Sequence, residues 1–464
     1  MASGQVIRYL YEVIRFGDEE TKKQLPEEVE LQGWVKTNRN SGAIGFIELN
    51  DGTFFRNAQI VYYRENNSAF DDWTHIALGA AISVIGKLVL TPDGKQPFEI
   101  QATMVNIVGE VDSDYPLQKK RHSFEFLRDY AHLRPRTNTF NAVFRLRHVL
   151  SMAIHSFFDL NGFVYVHTPI LTGNDAEGAG QSFKVVTGKK NSETDFFGRS
   201  AALTVSGQLH VEAFALAFRD VYTFGPTFRA EESNTPRHAS EFWMIEPEIA
   251  FADLSDNMDL IEECLKYCID YVLEHASEEM GFFNEFIDKN LIGRLESLLA
   301  SSFKRISYTE AVDLLLQAKE KGHKFEDPNI FWGMDLQGEH ERFLTDEIIK
   351  GPVFVTDYPA EIKSFYMRLN DDGKTVAACD LLVPAIGELV GGSQREERYD
   401  LLKKKMDDLG NSAGLEWYLD LRKYGGVPHA GFGIGFDRLM MYLTGMSNIR
   451  DVQPYARNYG NMKY

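Results

Sequence analysis

The sequence predicts an α+β protein of more than one domain: a small five-stranded β-barrel followed by a larger unit in which a sheet is flanked by helices. Three observations carry that prediction. The chain has 464 residues, more than one hydrophobic core usually fills. Its early part runs in short alternating segments, and its later part holds two charge-rich strand patterns and a glycine-spaced strand that leads into an amphipathic helix.

The barrel comes first. Segments 29–35, 44–49, 58–62, 81–89 and 98–102 alternate apolar and polar residues, and Asn50-Asp51-Gly52 and Pro92-Asp93-Gly94 supply turns. Five such strands close into an OB-fold. Barrels of this kind use exposed aromatic rings as stacking platforms for unpaired bases. Phe46 and Gln59 are the candidates for that work, against the alternative of a core phenylalanine and an ordinary surface glutamine. The polar, basic stretch 114–136 is the expected hinge, which separates a domain at 1–113 from one at 137–464.

The larger domain opens with an amphipathic helix at about 141–160, then a strand pattern, Gly162 to Leu171, that contains Pro169. Residues 222–230 and 242–251 alternate as a hairpin, and the loop between them carries Glu231, Glu232, Arg237, His238 and Glu241 around an Asn234-Thr235-Pro236 turn. Arg229, Glu246 and Glu248 stand in or beside the strands. A charge in a strand needs a ligand, a partner or water, because burying it alone costs roughly several kcal/mol. Gly431, Gly433 and Gly435 leave one strand face bare, so that a flat ring can lie on backbone, and Arg438 follows on the first helical turn, where guanidinium and free N–H groups suit an anion. Residues 276–351 look like a helical insertion.

Composition excludes little. Hydrophobic residues make up 44% and the formal net charge is −19, so nucleic-acid binding needs a local basic face; 119–122, 134–136 and 145–148 are the candidates. No apolar run spans a bilayer and the start lacks a signal pattern, so no membrane association and a cytoplasmic protein are expected. Cys264, Cys268 and Cys379 are too few for a disulfide framework. Cys264 and Cys268 lack a further ligand at zinc spacing, so core thiols are expected there and no zinc.

Taken in order, the 141–171 segment, Phe228-Arg229-Ala230-Glu231 and Gly431-Phe432-Gly433-Ile434-Gly435-Phe436-Asp437-Arg438 resemble motifs one, two and three of the class II aminoacyl-tRNA synthetases, in the aspartyl, asparaginyl and lysyl subgroup. The resemblance spans nearly the whole chain. It implies a catalytic domain built on an antiparallel sheet, an anticodon-reading N-terminal barrel and a homodimer with Pro169 near the subunit boundary. It further implies that ATP is held by Arg229 on the α-phosphate, Arg438 on the γ-phosphate with Arg237 and His238, Phe242 stacked on adenine, and Glu231 and Gly435 close by. Mg²⁺ would bind at Asp380 and Glu388, for which buried structural acids are the competing reading. Such chemistry needs no general base, because a carboxylate attacks the α-phosphate and the work is positioning and charge neutralisation.

Aspartate-specific relatives carry a lysine three positions after the glutamine of a Ser-Pro-Gln motif, whereas Ser206-Gly207-Gln208 is followed there by Val211. A missing cation, Glu246 as acceptor and Arg395 as donor suit a carboxamide and repel a carboxylate. L-Asparagine and tRNA(Asn) are therefore the expected substrates, with Glu177 and Gln208 at the ammonium group, Ser206 also among the amino-acid-binding residues, and residues 177–180 as a lid. The other readings are an aspartyl enzyme, an aspartate-amidating relative and an RNA-binding protein without catalysis; the barrel and the intact Arg229, Arg438, Asp380 and Glu388 weigh against the last two.

Overall fold

The computed structural model describes residues 6–173, 182–188, 196–410, 412 and 414–464. The chain divides into two compact units, Met1–Arg145 and Leu146–Tyr464. This boundary falls inside the helix Asn138–Leu160 rather than in the expected hinge at 114–136. That segment packs Leu117 and Leu127 against Phe140.

In the first unit, β1 (Glu28–Asn40), β2 (Ile44–Asn50), β3 (Ala58–Tyr63), β4 (Ala81–Leu90) and β5 (Phe98–Gly109) close a barrel in the order β1-β2-β3-β5-β4. Alternation along β1 sends Val29, Leu31 and Val35 inward, where they meet Ile47, Leu49, Ile60 and Ile100. The helix Ile7–Phe16, which the barrel pattern does not announce, adds Ile7, Leu10 and Tyr11 to the same core. Arg134 does not belong to a basic face: it is 1% exposed, its guanidinium 4.3 Å from the Phe140 ring. Lys119, Lys120 and Arg121 are exposed.

The second unit contains β6 (Val164–Tyr165), β7 (Leu171–Thr172), β8 (Ala202–Leu203), β9 (Asp220–Phe228), β10 (Glu241–Ala250), β11 (Lys304–Ser307), β12 (Val353–Pro359), β13 (Thr375–Val383), β14 (Gly387–Gln394) and β15 (His429–Gly435). Eight of them form one sheet in the order β11-β12-β13-β14-β15-β10-β9-β6, and β7 pairs with β8. Pairing is antiparallel except at the two edges, where β11 runs parallel to β12 and β6 parallel to β9. The expected hairpin is present, with Glu246 opposite Thr223 in the β9–β10 register.

Residues 276–351 are not a purely helical insertion. They contribute the helices Ser277–Phe286, Leu291–Ala300, Tyr308–Glu320 and Gly338–Phe343, but also the edge strand β11. Four residues, Lys304-Arg305-Ile306-Ser307, are too short and too charged to announce a strand by periodicity. Cys264, Cys268 and Cys379 are buried free thiols. Among the described residues, no helix is long and apolar enough to cross a membrane.

Candidate active site

The middle of the large sheet gathers the charges. Glu248 on β10 lies opposite Gly431 on β15, and Gly431 lies opposite Ser393 on β14. A Cβ at Gly431 would stand 2.1 Å from Glu248 Oε2, so a bare backbone there is what lets the carboxylate lie across the neighbouring strand. The space over Gly431 is thus filled by Glu248, not left open for a flat ring. Arg395 donates to Glu248 from Nε and Nη2, each at 2.9 Å, and from Nη1 to Ser393 Oγ at 2.8 Å. Three of its roughly five N–H groups are committed, and the two buried charges neutralise each other. Burial pushes the Glu248 carboxyl up, Arg395 pulls it down and nearby Glu212 pushes it up again.

Glu212 anchors a second buried layer that the sequence reading missed. It is fully buried and accepts from Arg422 Nη2 and Tyr418 Oη at 2.8 Å, from Gln208 Nε2 at 3.0 Å, and faces His429 Nε2 at 3.0 Å. Burial works to raise its carboxyl, but Arg422, His429 and Arg395 outweigh that and hold it well below the usual range. The signal was available, since Glu212 is the one charge in the apolar helix Gln208–Phe218. Glu212, Glu248 and His429 bring ligand atoms within 4.8 Å of one another, the one such metal-like group among the described residues. The guanidinium groups of Arg395 and Arg422 already supply its positive charge.

Glu246 lies at the mouth of the Gln208–Phe218 helix. Ser206 Oγ hydrogen-bonds its Oε1, and Gly207 N–H donates to Oε2 at 2.9 Å. The Gln208 amide N–H donates to Ser206 Oγ at 3.1 Å. Ser206, Gln208 and Glu246 are therefore linked in one hydrogen-bonded cluster. Glu246 and Glu248, two apart on β10, share a face of the sheet. Val211 is buried with Val166, Ala215 and Val221, so the position that carries lysine in aspartate-specific relatives is apolar core.

Of the nucleotide candidates, Phe242 and Gly435 lie on β10 and β15, Arg229, Glu231, Arg237 and His238 in the connection between β9 and β10, and Arg438 on the helix after β15. The Arg229 guanidinium is 5.4 Å from the Phe242 ring, and the Arg229 N–H closes the hairpin on Ser240 O at 2.9 Å. Glu231 and His238 lie 3.6 Å apart. Gly435 caps the helix Phe436–Thr444, whose first turn carries Arg438, with Nη1 donating to Glu388 O at 3.1 Å. Burial, then the neighbouring Arg342 and Arg438, depress the Arg237 guanidinium.

Asp380 on β13 faces Gly391 on β14, which faces Gly433 on β15. This row is two residues along from the Ser393–Gly431–Glu248 row, about 7 Å away on the same face. A Cβ at Gly391 would lie 3.4 Å from both Asp380 Oδ1 and Glu388 Oε1, so both carboxylates converge on an open cradle. Lys363 Nζ, also missed from sequence, donates to Asp380 Oδ2 at 2.7 Å. Burial and the adjacent Asp380 raise the Glu388 carboxyl, and burial together with Glu388 pushes Glu341 up to about 7. Crowded hard oxygens whose mutual repulsion a cation would relieve fit a small divalent ion such as Mg²⁺.

In the barrel, Phe46 pairs with Val61 and Glu48 with Gln59 across β2 and β3. Phe46 and Gln59 are half-buried on the outer face while Ile47 and Ile60 fill the core, so Phe46 is not a core residue. The Arg39 guanidinium lies 5.3 Å from the Phe46 ring. In the second unit Pro169 is exposed, near exposed Val164, Tyr165, Ile170 and Leu171. Glu177 and the expected lid fall outside the described residues.

This fold, a five-stranded barrel followed by a large, mostly antiparallel sheet with helices, is that of the synthetase class. Residues 123–459 match the family of class II tRNA synthetases for D, K and N, and residues 29–108 match the OB-fold nucleic acid binding domain. The chain is 59% identical to asparagine–tRNA ligase of Alkaliphilus oremlandii over 94% of its length and 96% of the relative's. It is 58% identical to that of Acetivibrio thermocellus, over 96% and 97%. Among solved structures it resembles asparaginyl-tRNA synthetase of Pyrococcus horikoshii complexed with asparaginyl-adenylate, with a TM-score of 0.86, 32% identity and full coverage of both chains. The chain belongs to the class II tRNA synthetases and, within them, to the asparagine–tRNA ligase family.

Proposed function

We propose that the protein activates L-asparagine with ATP and transfers it to tRNA(Asn). The observation that carries this reading is the placement on one sheet face of Glu246, held by Ser206 and Gly207, and of a buried Arg395, together with an apolar residue at 211. The Glu246 carboxylate is an acceptor-only group suited to a carboxamide NH₂, and the remaining Arg395 N–H groups serve the carboxamide oxygen. An aspartate side chain would face Glu246 as a like charge, at a cost of roughly several kcal/mol.

The amino-acid carboxylate attacks the α-phosphorus, the α–β bridging P–O bond breaks, and pyrophosphate leaves. Arg229 neutralises the entering carboxylate and the α-phosphoryl oxygens, and Phe242 covers the adenine. Arg438, Arg237 and His238 hold the leaving end, while Glu231 and the backbone at Gly435 fix the nucleotide. Asp380 and Glu388 would hold Mg²⁺, which supplies charge neutralisation between the phosphates when bound. Because Gln208 Nε2 is committed to Glu212, its carbonyl oxygen is free to accept from the substrate ammonium. The 3′-terminal ribose hydroxyl of the tRNA then displaces AMP.

Phe46 and Gln59 are the proposed anticodon contacts. The exposed apolar strip Val164, Tyr165, Ile170 and Leu171 beside Pro169 supports a homodimer interface, and the absence of a membrane-crossing helix among the described residues is in keeping with a cytoplasmic enzyme. The test is transfer of labelled asparagine to tRNA(Asn) and tRNA(Asp) transcripts. Charging of tRNA(Asn) alone is expected; charging of neither would refute the reading.

A further inference from the structure

The helix Gly338–Phe343, in the stretch expected to be an insertion, reaches the phosphate end of the site. The Glu388 N–H donates to Glu341 Oε2 at 3.0 Å, which fixes this helix beside the carboxylate cradle. The next residue, half-buried Arg342, turns toward Arg237. A Cβ built at Gly338 would stand 3.0 Å from Arg237 Nη1 and 3.4 Å from Arg342 Nη1, so both guanidinium groups border one small space. Arg438 lies near enough that it and Arg342 both act on Arg237 as like charges. Arg438 is 3.6 Å from Glu388 Oε2. Of the charges that act on Arg237, Arg342 and Arg438 oppose it and Glu341 offsets them in part.

We infer that Arg342 is a third phosphate-binding arginine, which with Arg237 and Arg438 receives the β- and γ-phosphoryl groups of ATP and then the pyrophosphate that leaves. Three converging guanidinium groups repel one another; a polyanion with several negative oxygens removes that repulsion and supplies acceptors for each fork. The inference deepens the ATP-dependent reading above and rests on it for the identity of the anion.

The test is calorimetric binding of Mg²⁺-pyrophosphate, without amino acid, to the full-length protein and to Arg342→Ala and Arg342→Lys, alongside KM values in pyrophosphate–ATP exchange. Losing a charge-assisted contact weakens binding by about tenfold or more. Arg342→Ala is expected to lose pyrophosphate affinity and raise the KM for ATP by that factor, with the KM for asparagine unchanged and partial recovery in Arg342→Lys. Pyrophosphate affinity within twofold of the parent in both variants would overturn the inference, as would a parent protein that does not bind pyrophosphate. Loss of pyrophosphate binding in the variant supports the site even where exchange with asparagine fails, so the two readings fail separately.

Discussion

Arg147 Nη1 stands 2.6 Å from Asp437 Oδ1, and so joins the long helix of the first motif to the opening turn of the helix that carries Arg438. Asp437 Oδ2 also accepts the Trp243 N–H of β10 at 3.1 Å. The pair is almost dry, at 15% and 1% exposure. Removing one partner strands the other charge, which costs about 3 kcal/mol or more. Asp437→Ala should therefore lower the urea midpoint of the second unit by that equivalent; an unchanged midpoint would show that the pair is dispensable.

The Glu212 cluster predicts an acid limb. Its folded carboxyl lies below the unfolded value of 4.5, so its contribution to stability is complete above about pH 4.5 and is lost as pH falls further. Glu212→Gln removes that proton uptake. The parent's melting temperature should fall more steeply between pH 5 and pH 3, by about 5 °C, than the variant's. Parallel curves would mean that Arg422 and His429 do not hold Glu212 ionised.

Arg395→Lys keeps the charge but loses the fork that spans both oxygens of Glu248. The expected result is a rise of about tenfold or more in the KM for asparagine, with the KM for ATP near the parent's. Equal rises for both substrates would move Arg395 out of the amino-acid pocket.

At the carboxylate cradle, Glu388→Gln leaves Asp380 with Lys363 as its main partner. The Mg²⁺ concentration for half-maximal ATP binding, read by fluorescence or calorimetry, should rise by about tenfold. An unaltered Mg²⁺ requirement would return Glu388 to the role of a structural acid.

How much of this was legible in the sequence differs by element. The barrel strands and the 220–250 hairpin were legible because alternation over five or more residues has few alternative readings. The same local signals marked Arg229, Phe242 and Arg438. What periodicity cannot give is which charge meets which across the sheet: Glu248 was visible as a charge in a strand, yet its partner Arg395 is 147 positions away. Lys363, Arg422 and Arg342 sit in ordinary charged segments, and only the tertiary fold brings them to the site. Arg134 errs the other way, a basic residue in a basic stretch that the fold buries against Phe140.

The most direct measurement is amino-acid-dependent pyrophosphate–ATP exchange without tRNA, with asparagine and aspartate side by side. The account predicts exchange with asparagine and a rate at least about 100-fold lower with aspartate, as expected where a buried carboxylate faces the wrong side chain. Exchange with aspartate at a comparable rate would contradict the pocket built from Glu246, Arg395 and Val211.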